Sequence, residues 1–284
     1  MRAALLPCMG DPFLTEYWLR NFALWRDEVD QLVIGLVNTG GQVRAHIAAL
    51  APQARIIDIS YRTPHGRVMG TLYEATTAEE IVFVEDDAYI RRPGVIDAAF
   101  GALAEADVVG TLRGPDELYG IQFAHLLPCF LFTRRATLDG LDFDAYNATD
   151  GVRRDTFGMA SYALRDRRLD VRAPYLIPYT APARPTFEGW LAEDPPWFHV
   201  GGLSMGYGVW LGNDIGQRPY GEDMGWDMAC RIAWWERCLA ETEGSLPQYH
   251  ARYRAALDAL TEQRQVPRTE IDAWHAAFAP WVTW

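Results

Sequence analysis

Three consecutive carboxylates, Glu85, Asp86 and Asp87, follow directly on the apolar run Ile81 to Val84. Adjacent carboxylates repel one another, so such a group is costly unless water, basic partners or a cation neutralises it. The run before it is rich in β-branched and aromatic residues and reads as a strand buried on both faces, as in a parallel sheet. In open α/β sheets ligands sit outside the carboxyl ends of the strands. Carboxylates placed there suit a hard divalent cation, which prefers oxygen ligands. The plain alternative is a solvated acidic loop ahead of a helix that starts near Pro93. Arg62, His65 and Arg67 lie between a strand and its following helix, a place from which phosphate contacts often come; solvated surface residues are the alternative. Asp11 could contact a nucleotide, but as the residue before Pro12 it is also a good helix cap.

The elements that must position these groups can be read in order. Ala3 to Leu6 predicts a strand, and Leu14, Trp18, Phe22 and Trp25 recur at helical spacing. Gln31 to Val37 predicts a second strand, and Val43, Ile47 and Leu50 a helix. Arg55 to Ser60 predicts a third strand and Pro64 to Ala75 a helix, followed by the acidic strand. Such alternation indicates βαβ units and a parallel sheet with helices on both faces. Pro93 to Ala104 predicts a helix, then Asp107 to Leu112, Leu126 to Thr133 and Val171 to Pro178 predict strands. Thr156 to Arg167 reads as a helix capped by Asp155. Beyond about residue 221 three helical stripes follow, through Met228 to Leu239, Tyr249 to Leu260 and Ile271 to Trp281. They suggest a helical annex packed on an α/β body.

Composition narrows the classes. The chain has 284 residues, 49% of them hydrophobic, enough for one large core. Its net charge of −12 argues against binding a polyanion over a broad surface, so no broad nucleic-acid binding is expected. All 26 basic residues are arginine, which excludes a Schiff-base or P-loop lysine. Cys8, Cys129, Cys230 and Cys238 form no C-x-x-C pair, and packed, reduced thiols are expected. The apolar start is cut short by Pro7 and Asp11, so no secretory leader is expected, and no run approaches the length of a membrane span. A cytoplasmic protein is the default expectation, with peripheral membrane contact left open.

In order, the chain carries the strand reading VEDDAYI, the strand CFLFTRR, Asp155 before a short helix with Arg165 and Arg168, a strand ending in IP, and His199-Val200-Gly201-Gly202. This order of features resembles the nucleotide-sugar-dependent glycosyltransferases of the GT-A fold. Glu85-Asp86-Asp87 resembles the family's DxD motif in its EDD form. The resemblance covers roughly Arg2 to Gly208, and only the acidic triplet is specific. It implies a Rossmann-like GT-A domain over residues 1–220, with a nucleotide-sugar half of about 1–112 and an acceptor half of about 113–220. Residues 221–284 would form the helical annex, for which the family offers no match. The implied activity moves a hexosyl or N-acetylhexosaminyl group from a nucleoside-diphosphate sugar, a UDP-sugar first, to an acceptor hydroxyl. The implied cofactor is Mn²⁺ or Mg²⁺. Carried over, Asp87 is a metal ligand and Glu85 and Asp86 flank the nucleotide, joined by Asp11, Arg62 and His65. His199 matches the family's late metal-binding histidine; a packed histidine beside Trp197 and Phe198 is the alternative. Asp155 matches the position of the catalytic base, although Arg154 stands where the family has Glu, and a plain N-cap explains it too. Glu222-Asp223 is the better literal match but follows His199, so Asp223 is the rival base. Arg134 and Arg135 could face an acceptor or solvent.

Two other functions fit some of these features. A sugar-phosphate nucleotidyltransferase shares a related sheet, but that class carries a glycine-rich basic loop after its first strand, and here the loop reads PCMGD. A degenerate, non-catalytic transferase fold that binds nucleotide or a partner is the other. The base assignment is directly testable. Asn caps a helix about as well as Asp, so a mere cap at position 155 would leave Asp155→Asn with normal turnover and melting temperature. A general base predicts normal melting with turnover lowered by a factor on the order of 10² to 10⁴. Asp223→Asn measured in parallel moves the base to the annex if it alone loses turnover.

Overall fold

The computed structural model describes residues 1–8, 11–37, 41–60, 63–113, 125–143, 171–177, 197–200 and 228–279. Asp155, Asp223, Arg62, Arg165 and Arg168 lie outside the described residues, as do Gly201 and Gly202. The chain opens β1(Arg2–Cys8), α1(Pro12–Phe22), β2(Gln31–Val37), α2(Gly41–Leu50), β3(Arg55–Ile59), α3(His65–Glu74) and β4(Glu80–Phe83). Then come β5(Ala88–Ile90), α4(Val95–Ala102), β6(Val108–Arg113), β7(His125–Arg134), α5(Arg135–Leu138), β8(Val171–Ile177) and β9(Trp197–His199). Three helices close the described chain, α6(Met228–Glu241), α7(Pro247–Gln263) and α8(Arg268–Phe278).

Seven strands form one sheet in the order β3-β2-β1-β4-β7-β6-β8. β3, β2, β1 and β4 are mutually parallel, β7 runs antiparallel to β4 and β6, and β8 is parallel to β6. This is an α/β fold with a mixed, mainly parallel sheet and a C-terminal helical region, the class that the resemblance implies. The apolar runs of β1 and β4 divide by strand alternation, which sends successive side chains to opposite faces. Ala4, Leu6, Val82 and Val84 join α1, α2, α4 and the three C-terminal helices in one core. Ala3, Leu5, Ile81 and Phe83 join α3 and Leu138 in the other. Helices therefore cover both faces, as parallel strands require.

Strand order reverses between β1 and β4: β1 leads outward to β2 and β3, and β4 starts the other half. Such a switch point opens a crevice at the carboxyl ends of the two strands. The triplet Glu85 to Asp87 leaves β4 at that end.

The structure adds a short ribbon that the sequence pattern does not suggest. The residues after the triplet, taken above as the end of the acidic strand, form the separate strand β5 and pair antiparallel with β9, setting Ala88 opposite His199, Tyr89 opposite Phe198 and Ile90 opposite Trp197. Three-residue strands alone are marginal in water. Asn21 of α1 supplies the other edge: its side chain donates to the Ile90 carbonyl at 2.8 Å and accepts from the Ile90 N–H at 3.0 Å. The C-terminal helices supply the floor, with Trp234 of α6 packed on both Tyr89 and Phe198.

The Arg-Arg pair is placed by the direction of β7. Because β7 is antiparallel, Arg134 lies opposite Glu80, at the end of the sheet away from the triplet. Arg134 donates to the Leu103 carbonyl, and Arg135 donates to the carbonyls of Tyr73 and Thr76 while its guanidinium lies 4.2 Å over the Tyr73 ring. These arginines hold helix ends rather than an acceptor.

Asp11 caps α1. Its Oδ1 accepts from the N–H groups of Phe13 at 2.9 Å and Leu14 at 2.8 Å, with Pro12 at the first helical position. The side chain is wholly buried. Burial pushes its carboxyl up to about 7, although the Leu14 N–H, the Tyr253 hydroxyl and the Phe13 N–H each pull it down. A folded-state value above the ordinary 3.8 means that this group's contribution to stability is full below about pH 4 and is lost as pH rises through about 7. Asp11→Asn keeps the cap and cannot ionise. The variant should gain in melting temperature relative to the parent between about pH 4 and pH 8, and a difference that stays flat with pH would show that Asp11 does not titrate this way.

Candidate active site

The sheet and the ribbon bring two distant segments together. His199 Nε2 lies 2.9 Å from Asp87 Oδ1 and 3.1 Å from Glu85 Oε2. On its other side Glu85 faces α3, where His65 Nδ1 is 3.8 Å from Glu85 Oε1. Asp86, Asp87 and His199 are buried and Glu85 is partly exposed. The backbone fixes this arrangement twice. The Ala88 N–H closes a turn onto the Glu85 carbonyl at 3.0 Å, and the Val200 N–H bonds the Asp87 carbonyl at 3.0 Å. The turn bends the triplet back so that Glu85 and Asp87 converge on one imidazole.

The electrostatics follow from burial and charge. Burial alone would push the His199 imidazole down. The attraction of Asp87 and the contact with Cys129 more than reverse that and hold it well above its ordinary value. His199 is thus a cation set between two carboxylates, which reduces their repulsion. A carboxylate pair with an imidazole nitrogen at hydrogen-bond spacing is also a donor set for a divalent ion, oxygen from Glu85 and Asp87 and nitrogen from His199. The residues present therefore fit such an ion.

Of the residues singled out from sequence, the fold gathers Glu85, Asp86, Asp87, His65 and His199 at the carboxyl end of β4. Asp11 caps the helix after the neighbouring strand with its carboxylate turned into the core. Four residues that sequence reasoning passed over also shape the site. Asn21 holds β5, and a signal existed, because a wholly buried amide must find partners. The Tyr89 hydroxyl donates to the Asp86 carbonyl at 3.1 Å and accepts from Trp234 Nε1 at 3.2 Å, linking the annex to the triplet. Cys129 lies beside Glu85 and His199. Tyr89, Trp234 and Cys129 had no signal beyond aromatic and thiol residues in apolar stretches.

No family model and no curated protein sequence matches this chain. Solved structures do. One is glucosyl-3-phosphoglycerate synthase from Mycobacterium tuberculosis in complex with Mn²⁺ and UDP-glucose, 14% identical, covering 63% of this chain and 69% of that one at a TM-score of 0.46. The same enzyme with Mn²⁺, UDP and phosphoglyceric acid is 16% identical, covering 61% and 67% at 0.45. A structure described as a mycobacterial protein is 15% identical, with this chain spanning 55% of its length and a TM-score of 0.39. At these values the likeness supports no statement about fold family or activity. Among the described residues no helix is long and apolar enough to cross a membrane.

The Tyr89 hydroxyl offers a test of how the annex supports the site. Tyr89→Phe removes the acceptor of the buried Trp234 N–H, and leaving a buried polar group unsatisfied costs roughly 1–3 kcal/mol. Tyr89→Phe should lower the unfolding free energy by about that amount, and Trp234→Phe added to it should cost less than it does alone. Strict additivity in this double-mutant cycle would contradict the link.

Proposed function

We propose that the protein is a metal-dependent glycosyltransferase that moves a hexosyl or N-acetylhexosaminyl group from a nucleoside-diphosphate sugar, a UDP-sugar first, to an acceptor hydroxyl. The observation that carries this reading is the convergence of Glu85, Asp87 and His199 at the switch point between β1 and β4. Asp87 and His199 would hold Mn²⁺ or Mg²⁺, with Glu85 and Asp86 flanking the nucleotide and His65 and Arg62 on the side of α3. When bound, such an ion neutralises the charge that develops on the diphosphate leaving group. To hold such an ion His199 would have to be neutral, its proton passing to water. The crevice at the carboxyl ends of the strands orients the donor, and Asp155, with Asp223 as rival, takes the proton of the acceptor hydroxyl. Residues 1–220 would be the transferase domain and residues 221–284 an annex that braces the ribbon carrying His199.

A panel of nucleotide-sugars with Mn²⁺, read by thermal shift and by slow hydrolysis, tests the proposal. The correct donor stabilises by roughly 2.7 kcal/mol at a hundredfold excess over its dissociation constant. Asp87→Asn should abolish transfer in a chain that still folds, at a melting temperature lowered by the loss of the buried pair with His199, and Glu85→Gln should chiefly weaken nucleotide binding. Activity that persists in chelator with the correct donor would sink the metal role. Release of pyrophosphate from a nucleoside triphosphate would establish a nucleotidyltransferase instead. Tight nucleotide binding without turnover or hydrolysis would indicate a binding module.

A further inference from the structure

Cys129 is more than a packed thiol. Its sulfur, a carboxylate oxygen of Glu85 and a ring nitrogen of His199 all lie within 4.8 Å of one another. The backbone that puts it there is built at a cost. β6 and β7 pair at Gly110 opposite Leu131 and resume at Thr111 opposite Leu127, so Pro128, Cys129 and Phe130 bulge from the ladder. Phe130 takes a φ of 67°, the left-handed region, which costs a residue with a side chain roughly 1–2 kcal/mol. Gly110 accommodates the bulge: a Cβ there would meet the Phe130 carbonyl oxygen at 3.0 Å. The Thr111 hydroxyl then donates to the Cys129 carbonyl at 3.1 Å and accepts from Trp197 Nε1 at 2.9 Å. One side chain thus ties the bulge to β9, the strand that carries His199.

We propose that Glu85, Cys129 and His199 form a second ligand set at this site, one that takes a borderline-soft divalent ion, zinc first. It rests on the transferase reading only in that zinc would compete there with the ion of that reaction. Mg²⁺ and Mn²⁺ favour oxygen, whereas thiolate, imidazole and carboxylate together are the ligands of zinc. Three protein ligands leave a fourth tetrahedral position open to water. Ligand atoms at about 2.0–2.3 Å from a tetrahedral ion are roughly 3.3–3.8 Å apart, close to the spacing of this cluster, in which His199 Nε2 and Glu85 Oε2 are 3.1 Å apart and all three groups lie within 4.8 Å of one another. Zinc displaces the thiol proton of Cys129 and any proton on His199, both of which leave to water, and the thiolate and carboxylate balance the charge of the ion. Zinc so held occupies Glu85 and His199, and it inhibits any reaction that needs His199 for Mn²⁺ or Glu85 for the nucleotide.

X-ray absorption at the zinc edge on the full chain loaded with one equivalent of zinc ion reads the ligands directly. The expected result is one sulfur neighbour at about 2.3 Å with nitrogen and oxygen neighbours nearer. Cys129→Ser should lose that sulfur, although Cys8, Cys230 and Cys238 remain. Its zinc affinity should fall at least the roughly tenfold that losing a ligand's hydrogen-bond partner costs, while Mn²⁺ affinity changes far less. Only nitrogen and oxygen around zinc in the parent chain overturns the inference, and so does sulfur that persists in Cys129→Ser. The parent measurement needs no variant to fold. Zinc held through Cys129 by a chain that transfers no sugar would leave this site standing and remove the transferase reading. Mn²⁺-dependent transfer with no sulfur at zinc would do the reverse.

Discussion

The repulsion among Glu85, Asp86 and Asp87 is the constraint around which the described fold is arranged. Three carboxylates at the mouth of a buried sheet cannot be left to one another. His199, held well above its ordinary pKa by Asp87 and Cys129 against the effect of burial, supplies the offsetting charge. Removing one partner of a buried ion pair costs roughly 3–5 kcal/mol, so the position of His199 is a structural necessity. Everything that holds β9 against β5 therefore serves the triplet.

That support comes from three directions. α1 reaches the ribbon through Asn21, the sheet through Thr111 and Trp197, and the annex through Trp234 and Tyr89. The aromatic cluster of Tyr17, Tyr89, Phe198, Trp234 and Phe278 joins these into one packed body. Cys8, Cys129, Cys230 and Cys238 are all buried and none forms a disulfide; packing, hydrogen bonds and the ion pairs of His199 hold the described part of the site. The C-terminal helices are thereby the floor on which a ribbon too short to stand alone is built.

Much of the first half was legible in the sequence because its signals are local. β2 and β3 follow continuous apolar or β-branched runs, and Asp11-Pro12 starts α1 where capping chemistry puts it. The triplet announced itself because adjacent acids at a strand end are rare without a reason. What was illegible depends on pairing. Nothing in CFLFTRR shows that its strand runs antiparallel, and that direction alone turns Arg134 and Arg135 away from the site and Cys129 toward it. Tyr89 and Ile90 read as the end of the acidic strand because three residues carry no periodicity of their own, and their partner, Trp197 to His199, is more than a hundred positions away. The bulge at Cys129 is equally silent, since the conformation of Phe130 is imposed by the neighbouring strand rather than by its own type.

The central claim is that Asp87 and His199, brought together by the ribbon, form a cation site at the switch point of the sheet. Electron paramagnetic resonance titration of Mn²⁺ into the full chain, with and without UDP, measures that site without requiring turnover. The account predicts one bound Mn²⁺ whose affinity rises when UDP is present and which is lost in both Asp87→Asn and His199→Ala. Mn²⁺ binding that survives both substitutions unchanged, or no binding by the parent chain with UDP present, would contradict it.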